Sequence, residues 1–103
     1  MTPEIVFSSR AERQLDDLFE TIEAASGYDR AKQFVASILA YCRGFGAFPE
    51  RGLRRDDILP GARVVGFRRR VSIVFVVEPG RVVFLGIYYG GQDYETDLKD
   101  DGT

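Results

Sequence analysis

The segment Val71–Val77 limits this chain's folding options more than any other feature. Val71, Ile73, Val74, Phe75, Val76 and Val77 place apolar side chains at both odd and even positions of a β-branched run. Successive side chains of a strand point to opposite faces, so a strand here has to be covered on both sides. The run stops at Glu78-Pro79-Gly80, far short of the ~20 apolar residues that span a bilayer. Strand signals flank it, Ala62–Phe67 before and Arg81–Tyr89 after, and Pro79-Gly80 turns the last two into a hairpin. Arg68-Arg69-Arg70 covers the turn between the first two strands and the start of the middle one. One face of this three-strand meander takes a helical layer. For the other, the expectation is a partner segment, because a large exposed apolar face marks an interaction site.

The helical layer lies upstream. Pro3–Phe7 reads as a short first strand, and Ser9 with Glu12 forms an S-x-x-E capping box. Ala11, Leu15, Leu18, Phe19, Ile22 and Ala25 come next at spacings of three and four, one apolar stripe that Gly27 ends. Asp29 is placed to cap a second helix with the stripe Ala31, Phe34, Val35, Ile38, Leu39 and Cys42, stopped by Gly44 and Gly46. The polar loop Arg51–Gly61 leads into the meander. The expected fold is α+β, in the order β-α-α-β-β-β, with a helical hairpin on one face of a mainly antiparallel sheet. The first strand joins an edge or inserts beside a neighbour; the pattern leaves that open. Residues 1–98 read as a single domain and 99–103 as a polar C-terminal tail, within a charged stretch from Asp97 expected to fray.

Composition narrows the chemistry. With 103 residues, 45% hydrophobic and 29% charged, the chain suits one globular core. It has no histidine, which excludes Ser-His-Asp and Cys-His catalysis. A single cysteine, Cys42, excludes an internal disulfide and a structural zinc site, and suits a reducing cytosol. On the second stripe it reads as a small core hydrophobe. The N-terminus lacks a basic region ahead of an apolar one, so no secretory signal is expected. No cofactor or metal and no membrane contact are expected.

The net charge of −2 hides a segregation. Residues 51–81 carry eight arginines against three acids, while the flanking segments are both acidic. Twelve of the fourteen bases are Arg, which favours bidentate contacts to carboxylate or phosphate. Arg54 and Arg55 are flanked by Asp56 and Asp57 and are expected to be neutralised locally. Arg68, Arg69 and Arg70 repel one another and call for acidic partners, unless they are simply solvated.

Several strings, taken in order, resemble the ParE/RelE superfamily of bacterial toxin–antitoxin toxins. They are Ala31-x-x-Phe34, Phe48-Pro49-x-x-Gly52, Pro60-Gly61-x-Arg63, Phe67-Arg68-Arg69-Arg70 and the ending Ile87-Tyr88-Tyr89-Gly90-Gly91-Gln92-Asp93-Tyr94-Glu95. The ending is similar to that of the ParE branch. The resemblance implies the RelE/ParE toxin fold, a cytoplasmic location and a hetero-oligomer with a ParD-like antitoxin, through which alone operator DNA is met. It also implies one of two activities: ParE-like members poison DNA gyrase by binding, and RelE-like members cut mRNA on the ribosome. A member that has lost toxicity would remain an antitoxin-binding module.

On the nuclease alternative, Arg63, Arg68 and Arg70 would supply charge and Tyr88 or Tyr89 a phenol. A general base is missing: the only lysines are Lys32, on a helix face, and Lys99, in the tail. Gly86 stands where the RelE resemblance often has an Arg. These points put gyrase poisoning first. Antitoxin-binding candidates are Arg63, Arg68, Arg69 and Arg70; target-binding candidates are Tyr89, Gln92 and Asp93. Tyr88 and Tyr89 must face opposite sides of their strand, and which one is exposed stays open. Gly90-Gly91 reads as a turn that Gln92 and Asp93 either cap or extend as a functional end.

Overall fold

The computed structural model describes residues 2–101. Its elements are β1 (Glu4–Phe7), α1 (Ser9–Ser26), α2 (Tyr28–Arg43), a 3₁₀ turn (Gly44–Gly46), β2 (Leu53–Arg54), β3 (Ala62–Phe67), β4 (Val71–Glu78), β5 (Arg81–Tyr89) and α3 (Tyr94–Asp101). They make one five-stranded sheet in the order β1-β5-β4-β3-β2. The expected α+β meander with its helical hairpin is present, and β4 is the central strand. β1 lies at the edge, parallel to β5, with Glu4 opposite Arg81 and Phe7 opposite Phe84. A parallel neighbour needs a long crossover, and the α1–α2 hairpin is part of it. Among the described residues, no helix is long and apolar enough to cross a membrane.

The helix caps differ from expectation by one or two residues. Ser8, not Ser9, caps α1: its Oγ accepts from the Ala11 N–H at 3.1 Å and donates to the Leu85 carbonyl at 3.0 Å. Gly27, at φ 95°, ends α1 and also starts α2, so Asp29 falls inside the first turn of α2. There its charge still favours the helix N-terminus.

Both faces of β4 are covered. On the helical side Ala11, Leu15, Leu18, Ile38 and Cys42 pack on Val65, Val71, Ile73, Val82 and Ile87. At its centre the rings of Phe45, Phe75 and Phe84 meet with centroids 4.9–5.7 Å apart. On the far side Ile58 and Leu59, from the loop before β3, and Tyr94 and Leu98, from α3, pack on Ala62, Val74 and Tyr88. The chain thus supplies a second layer of its own, and Val74 is 0% exposed. The expectation that a partner must cover this face is corrected for that half of it. Val64 and Val76 remain half-buried. The helix α3 was not anticipated and crosses the boundary expected at residue 98; residues 102–103 of the expected tail lie outside the described residues.

A register shift in the β4–β5 pair sets the site. Gly86 is opposite Val74 but Phe84 is opposite Phe75, leaving Leu85 as an extra residue in β5. One extra residue reverses the inward–outward alternation of the rest of the strand. Phe84 and Ile87 therefore both face the helices, and Tyr88 turns to the far side.

Candidate functional site

The turn between β3 and β4 is built from arginine where glycine is usual. Phe67 pairs with Val71, and the Arg70 N–H donates to the Phe67 carbonyl at 3.2 Å. The two central residues, Arg68 and Arg69, have φ of 51° and 61°. Positive φ at both positions defines a type I′ turn, for which Asn-Gly is preferred. A side chain in this left-handed region costs about 1–2 kcal/mol per residue. The Gly90 N–H donates to the Arg70 carbonyl at 2.7 Å and ties the turn to the end of β5. Arg68 lies 5.1 Å from the ring centroid of Phe67, within cation–π range.

This turn forms one wall of a groove of about 590 Å³. The second half of α1 contributes Thr21, Ile22, Ala25 and Ser26, the start of α2 contributes Arg30, Gln33 and Phe34, and Arg68, Arg70 and Tyr89 complete it. Tyr89 faces the helices, half-buried, its ring edge-on to Phe34 with centroids 6.1 Å apart. Among the described residues none of Arg30, Arg68, Arg69 and Arg70 forms an ion pair. Sequence reasoning missed Arg30. The available signal was its position four residues before Phe34, which puts both on one edge of α2.

Arg63 does not join this cluster. It lies four positions back along β3, about 13 Å at the usual rise per residue, with Nη2 3.9 Å from Glu50 and Nη1 donating to the Arg51 carbonyl at 3.5 Å. Arg54 and Arg55 are paired locally with Asp56 and Asp57, as expected. The Arg55 guanidinium holds the Asp57 carboxyl down to about 2. Arg55 also donates to Tyr94 Oη at 3.2 Å and Glu95 Oε1 at 2.8 Å, and so pins α3 to the loop.

The remaining candidates are structural in their contacts. Tyr88 is 3% exposed, and its hydroxyl donates to Asp97 Oδ2 at 2.6 Å. Burial, with that bond second, pushes its phenol up to about 12. Its ring lies across Gly86, where a Cβ would stand only 2.8 Å from the Tyr88 hydroxyl and 2.9 Å from Cζ. Gln92 Oε1 accepts from the Tyr89 N–H at 2.8 Å. Asp93 caps α3, accepting from the Thr96 N–H at 3.1 Å and the Thr96 hydroxyl at 2.6 Å. The contact with Thr96 also holds the Asp93 carboxyl below its ordinary value. Of the two roles open to Gln92 and Asp93, capping is the one their contacts display. Gln14, also missed from sequence, accepts from the Ile87 N–H at 2.7 Å along the stretch of β5 beyond its pairing with β1. Of the five residues a nuclease would use, only Arg68, Arg70 and Tyr89 share a site.

Comparison with known proteins bears on this arrangement. The family model described as ParE toxin of the type II toxin–antitoxin system parDE matches residues 5–94. Among solved structures, the chain is similar to one of the chromosomal ParDE system from P. aeruginosa, with TM-score 0.75, 20% identity, 86% of this chain and 97% of that chain covered. It is also similar to one of the RelBE2 toxin–antitoxin complex from Mycobacterium tuberculosis, with TM-score 0.62, 17% identity, 86% of this chain and 99% of that chain covered. No curated protein matches in sequence.

Proposed function

The chain belongs to the ParE toxin family of type II toxin–antitoxin systems, and from that premise we propose that it inhibits DNA gyrase by binding, with no bond-breaking chemistry of its own. A cognate antitoxin neutralises it in a hetero-oligomer, and operator DNA is reached only through that antitoxin. Arg68, Arg69 and Arg70 are the antitoxin-binding candidates; Arg63, engaged with Glu50 and Arg51, is the weaker one. Tyr89, half-buried beside the groove, is the more accessible aromatic of the pair and the better target contact.

The observation that carries this reading is the state of Tyr88. A phenol pushed up to about 12, buried and bonded to Asp97, is poorly matched to proton transfer near neutral pH. It also faces away from Arg68 and Arg70. The rival nuclease reading keeps one specific support, the proximity of Tyr89 to Arg68 and Arg70 around one groove. It still lacks a general base there.

Induced expression separates the two. Gyrase poisoning predicts SOS induction with translation initially intact, and toxicity that survives Tyr89→Phe, since the ring keeps most of its contact area. Ribosome-dependent mRNA cuts that vanish in Tyr89→Phe would reverse the order.

A further inference from the structure

The chain's own second layer closes only part of the sheet's far face. Ile58, Leu59, Tyr94 and Leu98 pack on Ala62, Val74 and Tyr88. Beside that layer the register aligns Val6 with Val83 and Val83 with Val76, an aliphatic row across β1, β5 and β4. A second row aligns Leu53 with Val64 and Val64 with Val74. Paired residues of neighbouring strands share a face, and Val74 and Val76 share a parity, so both rows point away from the helices. Val6, Val64, Val76 and Val83 are half-buried, and Leu53 is 67% exposed. The row bordering Val6, Val83 and Val76 is charged and matched within the chain. Glu4 lies opposite Arg81 and Arg81 opposite Glu78, whose carboxylate accepts from Arg81 at 2.6 Å. At the β2 edge, Asp56 accepts from Arg54 at 3.1 Å.

We infer that this strip is a homotypic interface, on which a second copy of the chain packs face to face. Stacked sheets interlock about 10 Å apart, and branched valine side chains, stiff at χ1, lose little freedom when covered. A two-fold axis, the commonest symmetry of soluble oligomers, brings the strip against itself. The charge pattern selects this occupant. The bordering charges are paired inside each copy, so two copies meet here without the repulsion that two arginine grooves would feel. An acidic partner finds less to hold, since Arg81 and Arg54 already carry carboxylates and the arginine groove lies on the helical side. The inference concerns the chain alone and does not depend on the identity of its target.

The test is sedimentation equilibrium of the purified full chain, without antitoxin, across the micromolar range. A reversible monomer–dimer equilibrium is expected. Val83→Lys and Val6→Lys should each weaken it at least about tenfold, because an unpaired ammonium would be buried in the contact. Arg30→Gln, on the helical side, should leave it unchanged. Circular dichroism and melting confirm that each variant is folded. Val83→Cys gives a second readout that keeps the strip apolar: mild oxidation should join two copies through it, since Cys42 is 0% exposed. Asp16→Cys, on α1, should stay uncrosslinked. A parent chain that is monomeric throughout would overturn the inference. So would a dimer that folded Val83→Lys retains at full strength. A monomeric parent whose antitoxin binding is lost in folded Val83→Lys would overturn it in favour of a heterologous partner on this face.

Discussion

Gly86→Ala tests the most unusual packing in the molecule. Gly86 is not among the glycines with positive φ, so an alanine there meets no left-handed penalty and, in open space, would stabilise the strand slightly. The space is not open. A Cβ would stand within 3.0 Å of three atoms of Tyr88, among them the hydroxyl at 2.8 Å and Cζ at 2.9 Å. Tyr88 has little room to move, being 3% exposed and bonded to Asp97 at 2.6 Å. Overpacking of this kind costs about 1–3 kcal/mol. Displacing the ring also strains a charge-assisted hydrogen bond of about 1.5–3 kcal/mol. Taken together, a loss of about 2–4 kcal/mol is expected, against the total of about 5–15 kcal/mol typical of small domains. Urea titration should show a lower midpoint, and the melting temperature should fall by about 10–20 °C. The decisive measurement is the same substitution in a Tyr88→Ala background, where the added methyl group has room. There the cost should vanish, giving a coupling energy of about 2–4 kcal/mol. A Gly86→Ala protein within about 0.5 kcal/mol of the parent, or one equally destabilised with and without the Tyr88 ring, would refute the reasoning. The same contact means that an arginine cannot simply be grafted at position 86 to create a nuclease.

Three further outcomes are expected. Tyr88 is pushed from about 10 in the unfolded chain to about 12 in the folded one, so its contribution is intact below pH ~10 and is lost as pH rises toward ~12. Urea midpoints across that range should fall, and less steeply for Tyr88→Phe; Cys42, which burial also raises to about 12, keeps part of the slope. Arg68→Asn with Arg69→Gly relieves about 1–2 kcal/mol at each position, less about 0.5–1 kcal/mol for the added freedom of unfolded glycine. A net gain of about 1–3 kcal/mol is expected by chemical denaturation. Leu98→Ala, at a 5% exposed position on α3, should cost about 2–3 kcal/mol and raise dye binding to the uncovered far face.

How much of this was legible in the sequence depended on whether the signal was local. The stripes of α1 and α2 were readable because Ala11, Leu15 and Leu18, or Ala31, Ile38 and Cys42, repeat with the helical period. The two-sided burial of β4 was readable from its lack of alternation. α3 was not, because it offers only Tyr94 and Leu98 as apolar anchors within an acidic stretch. Its cap, Asp93 bonded to Thr96, was the available signal. The parity of Tyr88 and Tyr89 depended on the extra residue at Leu85, which is defined by the partner strand and leaves no mark in β5 beyond Gly86. The groove was half legible: the arginine triplet announced itself, while Arg30 came to it through tertiary packing of the helical hairpin.

The placement of β1 orders events during synthesis. Its hydrogen-bonding partner is β5, and Glu4 waits for Arg81. The helical hairpin and the β3–β5 meander are assembled from contacts close in sequence, but this last pairing spans most of the chain. The sheet therefore cannot close while the ribosome still holds the C-terminal strands, and α3 docks later still. The sheet is therefore complete only once β5 has been made and can pair with β1. A chain that stops before β5 lacks both the partner of β1 and the α3 residues Tyr94 and Leu98 that cover the far face.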